Sequence, residues 1–239
     1  MDRRWKKSRQ KCSILGRLQD GPERYPILLN LRGKRCVVAG GGNVATRKVR
    51  GLVEAGAEVV VVAPRASAEI QSLVYRGNVE WRSRPFVKED AEGALFVFAA
   101  TGDHEANRAA LKAAALFGAL TNVADDPEGS DFHLPATLKK GGATITVSTG
   151  GASPAVAAWL RDRMVEAVPE GLELALELFS LLRSALDAEA KAHSGEGFGK
   201  LLDAGIVEDL RKGDLKAVGE KVDSVFGAGF YLGALKEKG

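Results

Sequence analysis

Arg35-Cys36-Val37-Val38-Ala39-Gly40-Gly41-Gly42-Asn43-Val44-Ala45-Thr46-Arg47-Lys48 decides the fold. Its first five residues form an apolar run suited to a buried strand, and three glycines follow at once. From Val44 to Ala55 the spacing turns helical, with Val49, Leu52 and Val53 on one face and Gly56 as the stop. Gly40-x-Gly42-x-x-Ala45 fits G-x-G-x-x-G/A: a glycine for the tight turn, a glycine where a pyrophosphate nears the backbone, and a small residue for close helix–strand packing. Free amides and the dipole at the helix start favour phosphate charge. Strand, glycine turn and helix in this order predict a dinucleotide site.

Strand and helix signals alternate onward. Glu58–Ala63 reads as a β-branched strand closed by Pro64, 66–76 as a helix, and Val79–Arg82 as a short strand. Leu95–Ala100 reads as a buried strand, His104–Phe117 as an alanine-rich helix, and Leu120–Val123 as another short strand. Continuous apolar strands between helices predict an α/β fold: a Rossmann-like parallel sheet covered on both faces. Past residue 133 the pattern changes. Leu134–Leu138 and Thr144–Thr149 read as a hairpin joined by Lys139–Ala143. Ser153-Pro154 then opens a helix with Val156, Trp159, Leu160 and Met164 at helical spacing. From Leu172 the chain reads as amphipathic helix, most clearly at Leu215, Val218, Val222, Val225 and Phe226. The expected divisions are a basic extension (1–24), a Rossmann-like domain (25–133), a hairpin-plus-helix dimerisation element (134–170) and a helical C-terminal domain (171–239).

Glycine is in excess, 28 of 239 residues, as backbone-driven turns and ligand cradles require. Much of the net charge of +3 sits in the first eleven residues, which read as a disordered tail, and the near-neutral remainder gives no nucleic-acid footprint. No apolar run makes that tail a secretory signal, and none approaches the ~18 residues of a membrane span. Cys12 and Cys36 fit neither a disulfide framework nor a thiolate metal site, so a reducing cytoplasm is the expected setting.

The cofactor-contact candidates are Gly40, Gly41, Gly42, Asn43 and Val44, then Pro64 and Arg65 after the second strand, and Thr101 after the strand that ends at Ala100. The second strand lacks the acid that holds a ribose in most such folds. Taken locally, Arg65 leans towards a 2′-phosphate, hence NADP, or is a solvated arginine. The tyrosine–lysine pair of short-chain dehydrogenases is absent, since Leu29, Val79 and Leu235 lie four residues after Tyr25, Tyr75 and Tyr231. His104 and His193 read as surface residues. His133 sits beside Asp125, Asp126 and Asp131, a candidate metal contact in a loop beyond a strand's carboxyl end, where doubly wound sheets bind ligands. A carboxylate there takes a proton or meets a metal, or the acidic pair before Pro127 only forms a turn.

Together with Tyr25-Pro26-Ile27, the run Val38–Lys48 resembles the precorrin-2 dehydrogenase and sirohydrochlorin ferrochelatase family, the amino-terminal part of sirohaem synthase. So do Asn122-Val123-Ala124-Asp125, Asp131-Phe132 with Pro135-Ala136, and Ser148–Pro154. The likeness runs over about residues 25 to 165. It implies NAD⁺-dependent oxidation of precorrin-2 to sirohydrochlorin and, in bifunctional members, insertion of ferrous iron. It also implies a homodimer built largely from the middle hairpin and helices. Its cofactor contacts fall on Asn43, Val44, Pro64 and Arg65. The family uses NAD⁺ without an acidic ribose clamp, which overrides the local lean to NADP. Its essential aspartate matches Asp125, the candidate base and transient metal escort. The substrate's many carboxylates call for cations and open helix ends, so Arg47, Lys48, Thr149, Gly150 and Ser153 are substrate candidates, the two basic residues reading equally well as a solvated face. Thr149 stands where the bacterial synthase has a serine. The length leaves no room for a methyltransferase half. A non-catalytic NAD-binding redox sensor acting through its C-terminal helices is the competing reading. Asp125 and Ser148–Pro154 distinguish the two, since a sensor needs no base.

Overall fold

The structure, a computed structural model, describes residues 24–124 and 126–236. The basic extension before Arg24, Cys12 and Asp125 lie outside the described residues. Two compact units emerge. The first reaches Leu134 and takes in Gly150–Ala152; the second comprises Pro135–Thr149 and the chain from Ser153.

The first unit alternates β1 (Arg35–Ala39), α1 (Asn43–Glu54), β2 (Glu58–Val62), α2 (Ala68–Tyr75), β3 (Val79–Arg82), β4 (Phe96–Ala99), α3 (His104–Phe117) and β5 (Leu120–Val123). The strands form one parallel sheet in the order β3-β2-β1-β4-β5. This is the doubly wound arrangement expected from the alternating pattern. Side chains on a strand point alternately to opposite faces, so each run of valines builds two cores. Cys36, Val38, Val59, Val61, Phe96 and Phe98 meet Ala45, Val49 and Leu52 of α1 and Ile70 of α2. Val37, Ala39, Val60, Val62, Val97 and Ala99 meet Ala110, Ala113 and Ala114 of α3. Its alanines let α3 lie close to the sheet. Strand order reverses between β1 and β4, which opens a crevice at their carboxyl ends.

Asp90 is an unforeseen feature, a fully buried carboxylate in a short 3-10 turn, Lys88–Ala91. Arg84 grips it with two bonds of 2.6 and 2.7 Å; Arg82 donates at 2.8 Å and the Val87 amide at 2.9 Å. Burial by itself would raise this carboxyl. The bonds from Arg84, Val87 and Arg82 outweigh it and hold the group down at about 2.

In the second unit β6 (Ala136–Lys140) and β7 (Ala143–Val147) pair antiparallel. The turn is shorter than the sequence pattern predicts. Gly141 and Gly142 form it alone, at φ 55° and 76°, a conformation open to glycine at little cost. Both lysines therefore fall in β6, and Lys140 reaches the Val165 and Val168 carbonyls at the end of α4 (Pro154–Ala167), at 3.0 Å each. Ser153 caps α4, accepting from the Val156 amide, with Pro154 in the first turn. The helices α5 (Leu172–Ala185), α6 (Ala188–Asp203), α7 (Ile206–Lys212), α8 (Leu215–Phe226) and α9 (Phe230–Lys236) follow. Leu182, Phe198, Leu201, Ile206, Val218 and Val222 form their core. Leu215, grouped with the apolar face of α8 from its spacing, is exposed in the first turn. No helix among the described residues is long and apolar enough to cross a membrane.

Replacing Asp90 with Asn removes the charge that holds three donors and is expected to cost about 2 kcal/mol at pH 7, measured by urea unfolding. The depressed carboxyl contributes stability above its unfolded value of about 4 and loses it as pH falls towards 2. The gap between wild type and Asp90→Asn should therefore close over that window.

Candidate functional site

Three chain segments converge where β1 ends. The Gly40 amide donates to the Val62 carbonyl at 3.0 Å. Gly40 has φ 126°, and a Cβ there would lie 2.3 Å from the Ala100 carbonyl oxygen, so the end of β4 runs directly against it. A Cβ on Gly41 would lie 2.0 Å from the Arg65 carbonyl oxygen. The Ser67 amide donates to the Gly41 carbonyl at 2.9 Å, closing the loop after β2 onto the turn. Gly42 differs from both, because a Cβ there meets nothing within 4 Å. Its bareness answers no contact within the chain, as expected where a ligand approaches. Gly42 is also the N-cap of α1, with no side-chain capping bond and no acid in the first turn. A dinucleotide's pyrophosphate fits that helix end.

Around this turn Asn43, Val44, Pro64 and Arg65 are exposed at the carboxyl end of the sheet. Thr46 fastens the group. Its hydroxyl lies 2.9 Å from the Gly42 carbonyl and 2.8 Å from the Ser67 hydroxyl, which itself caps α2 by accepting from the Ile70 amide. Neither hydroxyl was among the sequence candidates. A serine just before a helical run is a recognisable cap, but the sequence gives no sign that it meets Thr46. Thr101 lies at the end of β4 with its hydroxyl 2.8 Å from both the Asp103 carbonyl and Asn107 Oδ1, so the β4–α3 turn occupies it.

The loop after β5 is pinned at several points. Asp131 Oδ2 accepts from the Thr121 amide and hydroxyl at 2.7 Å each. Ser130 Oγ accepts from the Val123 amide at 2.9 Å and donates to the Asp126 carbonyl at 2.8 Å. Asp126 Oδ1 accepts from the Gly129 amide at 2.9 Å. Phe132 packs on Phe96 and Phe98 at centroid distances of 4.6 and 5.5 Å. Asp126 and Asp131 thus hold the loop in shape, which is the turn-forming role for them. His133 places Nε2 3.0 Å from the Pro127 carbonyl. Among the described residues no three His, Cys, Asp or Glu side chains could hold a metal ion.

The two basic substrate candidates part company. Arg47 is exposed. Lys48 is half-buried, its Nζ 5.1 Å from the Phe98 ring centroid and 2.5 Å from Asn122 Oδ1. Burial, and then the charge of Arg47, bring its ammonium down to about 8. Asn122 and Phe98 were not singled out from the sequence as Lys48's partners. Thr149 and Ser153 belong to the second unit. There the Thr149 hydroxyl lies 3.1 Å from both the Ser153 amide and carbonyl, shaping the start of α4. Gly150, at φ 64°, is grouped with the first unit.

Residues 27–136 match a family model for NAD(P)-binding, and residues 141–167 match one described as sirohaem biosynthesis protein central. A sirohaem synthase of Methylococcus capsulatus is 39% identical over 176 residues, 72% of this chain and 37% of that protein. One from Chromobacterium violaceum is 33% identical over 212 residues, 87% of this chain and 44% of that protein. The chain therefore spans less than half the length of these relatives. Among solved structures, SirC, a precorrin-2 dehydrogenase, superposes with TM-score 0.69 at 25% identity, covering 82% of this chain and all of that one. Sheet, glycine turn and helix end together define an NAD(P)-binding domain of the Rossmann type. Within that class, the chain is similar to the amino-terminal part of the sirohaem synthases, an NAD(P)-binding domain followed by the sirohaem central element.

The contrast among the glycines is testable by substitution. Gly42→Ala should keep stability within about 1 kcal/mol by thermal unfolding, because the position is open and only the cap preference changes. It should weaken NAD⁺ binding at least ~tenfold by calorimetry, since a methyl then stands between backbone and pyrophosphate. Gly41→Ala should instead destabilise by about 2–3 kcal/mol, as its methyl meets a backbone carbonyl.

Proposed function

We propose that the chain oxidises precorrin-2 to sirohydrochlorin with NAD⁺. The observation that carries this reading is the open helix end at Gly42, within a fold that overlays the whole of a precorrin-2 dehydrogenase. NAD⁺, when bound, supplies the oxidising power for removing two electrons from the macrocycle. Asn43, Val44, Pro64 and Arg65 are the side chains that flank it, and the amides of the first turn of α1 take the pyrophosphate. The oxidation also releases a proton, and a carboxylate is the fitting acceptor. Asp126 and Asp131 are engaged in their own loop, and Asp125, which matches the essential aspartate of the family it resembles, is the base in this proposal. Arg47, Thr149, Gly150 and Ser153 remain the proposed contacts to the substrate's carboxylates. Insertion of ferrous iron into the product is the companion step in bifunctional members. There Asp125 would accept the pyrrole protons, with His133 as a further metal contact.

Mixing the protein with precorrin-2 and NAD⁺ should give the absorption of sirohydrochlorin. Asp125→Asn should lower kcat by about 100-fold or more while leaving NAD⁺ affinity in place. Binding of NAD⁺ without turnover by the wild type would favour the redox sensor instead. NADP⁺ in the same assay tests Arg65, and added ferrous or cobalt ion tests metal insertion.

A homodimer through the hairpin and α4 belongs to the same proposal. Val156, Trp159 and Met164 leave an apolar stripe exposed on α4, where only Ala157 is buried. Trp159→Asp is expected to turn a dimer into a monomer by light scattering, and an unchanged mass would remove α4 from the interface.

A further inference from the structure

We propose that Lys48 is a positioning residue, tying the helix behind the glycine turn to the strand segment that leads into Asp125 by way of Asn122. This rests on the dehydrogenase reading above. Three observations carry it. Lys48 lies on α1, and its amine crosses the Phe98 ring of β4 to reach Asn122 on β5. Phe98 and Asn122 are register partners, so the lysine stem spans β4 to meet the neighbouring strand. Asn122, only 7% exposed, is engaged at both ends of its amide: Oδ1 accepts from Lys48, and Nδ2 donates to the Phe132 carbonyl at 2.8 Å. One amide thus joins three pieces: α1, β5 and the far end of the loop that contains Asp125.

A stability role alone explains this poorly. The lysine is half-buried with its amine over the Phe98 ring, where an apolar side chain of similar length would avoid the desolvation of an ammonium. No carboxylate among the described residues forms an ion pair with it. The charge is instead spent on orienting a buried amide three residues before Asp125 in sequence. A buried polar group left unpaired is costly, so removing the ammonium frees Asn122 to turn and the loop with it. Lys48 therefore does not reach for the substrate's carboxylates, in contrast to the expectation from its charge.

The test compares Lys48→Met, Lys48→Arg, Asn122→Ala and the Lys48→Met/Asn122→Ala pair on the full chain. Amide hydrogen exchange of residues 121–132, read by mass spectrometry without substrate, should quicken in Lys48→Met and Asn122→Ala. NAD⁺ affinity should stay within about twofold, as the cradle is untouched. In the precorrin-2 assay kcat should fall at least ~tenfold with little change in KM. The paired variant should be no worse than either single one, because both break one connection. Lys48→Arg should recover part of kcat. Unchanged loop exchange in both Lys48→Met and Asn122→Ala overturns the proposal, as does a raised KM at constant kcat, which would mark a direct substrate contact. If Lys48→Met does not fold, Lys48→Arg and Asn122→Ala carry the same readouts. Absence of wild-type turnover defeats the dehydrogenase reading alone, since the exchange measurement needs no substrate.

Discussion

Two backbone collisions avoided by glycine govern the first unit. The Ala100 carbonyl sits where a side chain on Gly40 would be, and the Arg65 carbonyl sits where one on Gly41 would be. The ends of β1, β2 and β4 can crowd together only because both positions are bare. That crowding brings the exposed Asn43, Val44, Pro64 and Arg65 to one edge of the sheet, and it leaves Gly42 as the position that faces open space. Thr46 and Ser67 then lock the arrangement with a hydroxyl pair. The cofactor edge is therefore a packing result first and an electrostatic one second.

Beyond β5 electrostatics has the larger part. Five acids or amides crowd the segment from Asn122 to Asp131, and three of them have an assigned task within the chain. Asp131 holds Thr121, Asp126 holds Gly129, and Asn122 joins Lys48 to Phe132. Polar groups so placed would be costly if unpaired, and their mutual satisfaction gives the loop one shape.

Much of the fold was legible because its signals are local. The valine runs, the Ser153 cap and the glycine fingerprint each act within a few residues, so β1, β3, α3 and β5 fall where their patterns place them. The hairpin turn is three residues shorter than its pattern suggests because polar lysines beside glycines resemble a loop; in the structure Lys140 is drawn into β6 by carbonyls 25 and 28 residues away. The Lys48–Asn122 bond is likewise long-range, linking residues 74 apart, and the Asp90 cluster, though its partners lie within eight residues, follows an irregular segment that no period or motif encodes. Charge alone suggested that Lys48 faces solvent or substrate. Only the fold reveals that its helix position aims it across Phe98.

The path of the chain between its two units bears on modularity. Gly150–Ala152 returns to the first unit after the hairpin has been laid down in the second, so the backbone passes from one unit to the other three times. A gene cut after Leu134 would therefore not release the dinucleotide-binding unit whole, since it would leave behind a three-residue piece encoded further on. A recombination that moves the first unit whole has to carry the hairpin along.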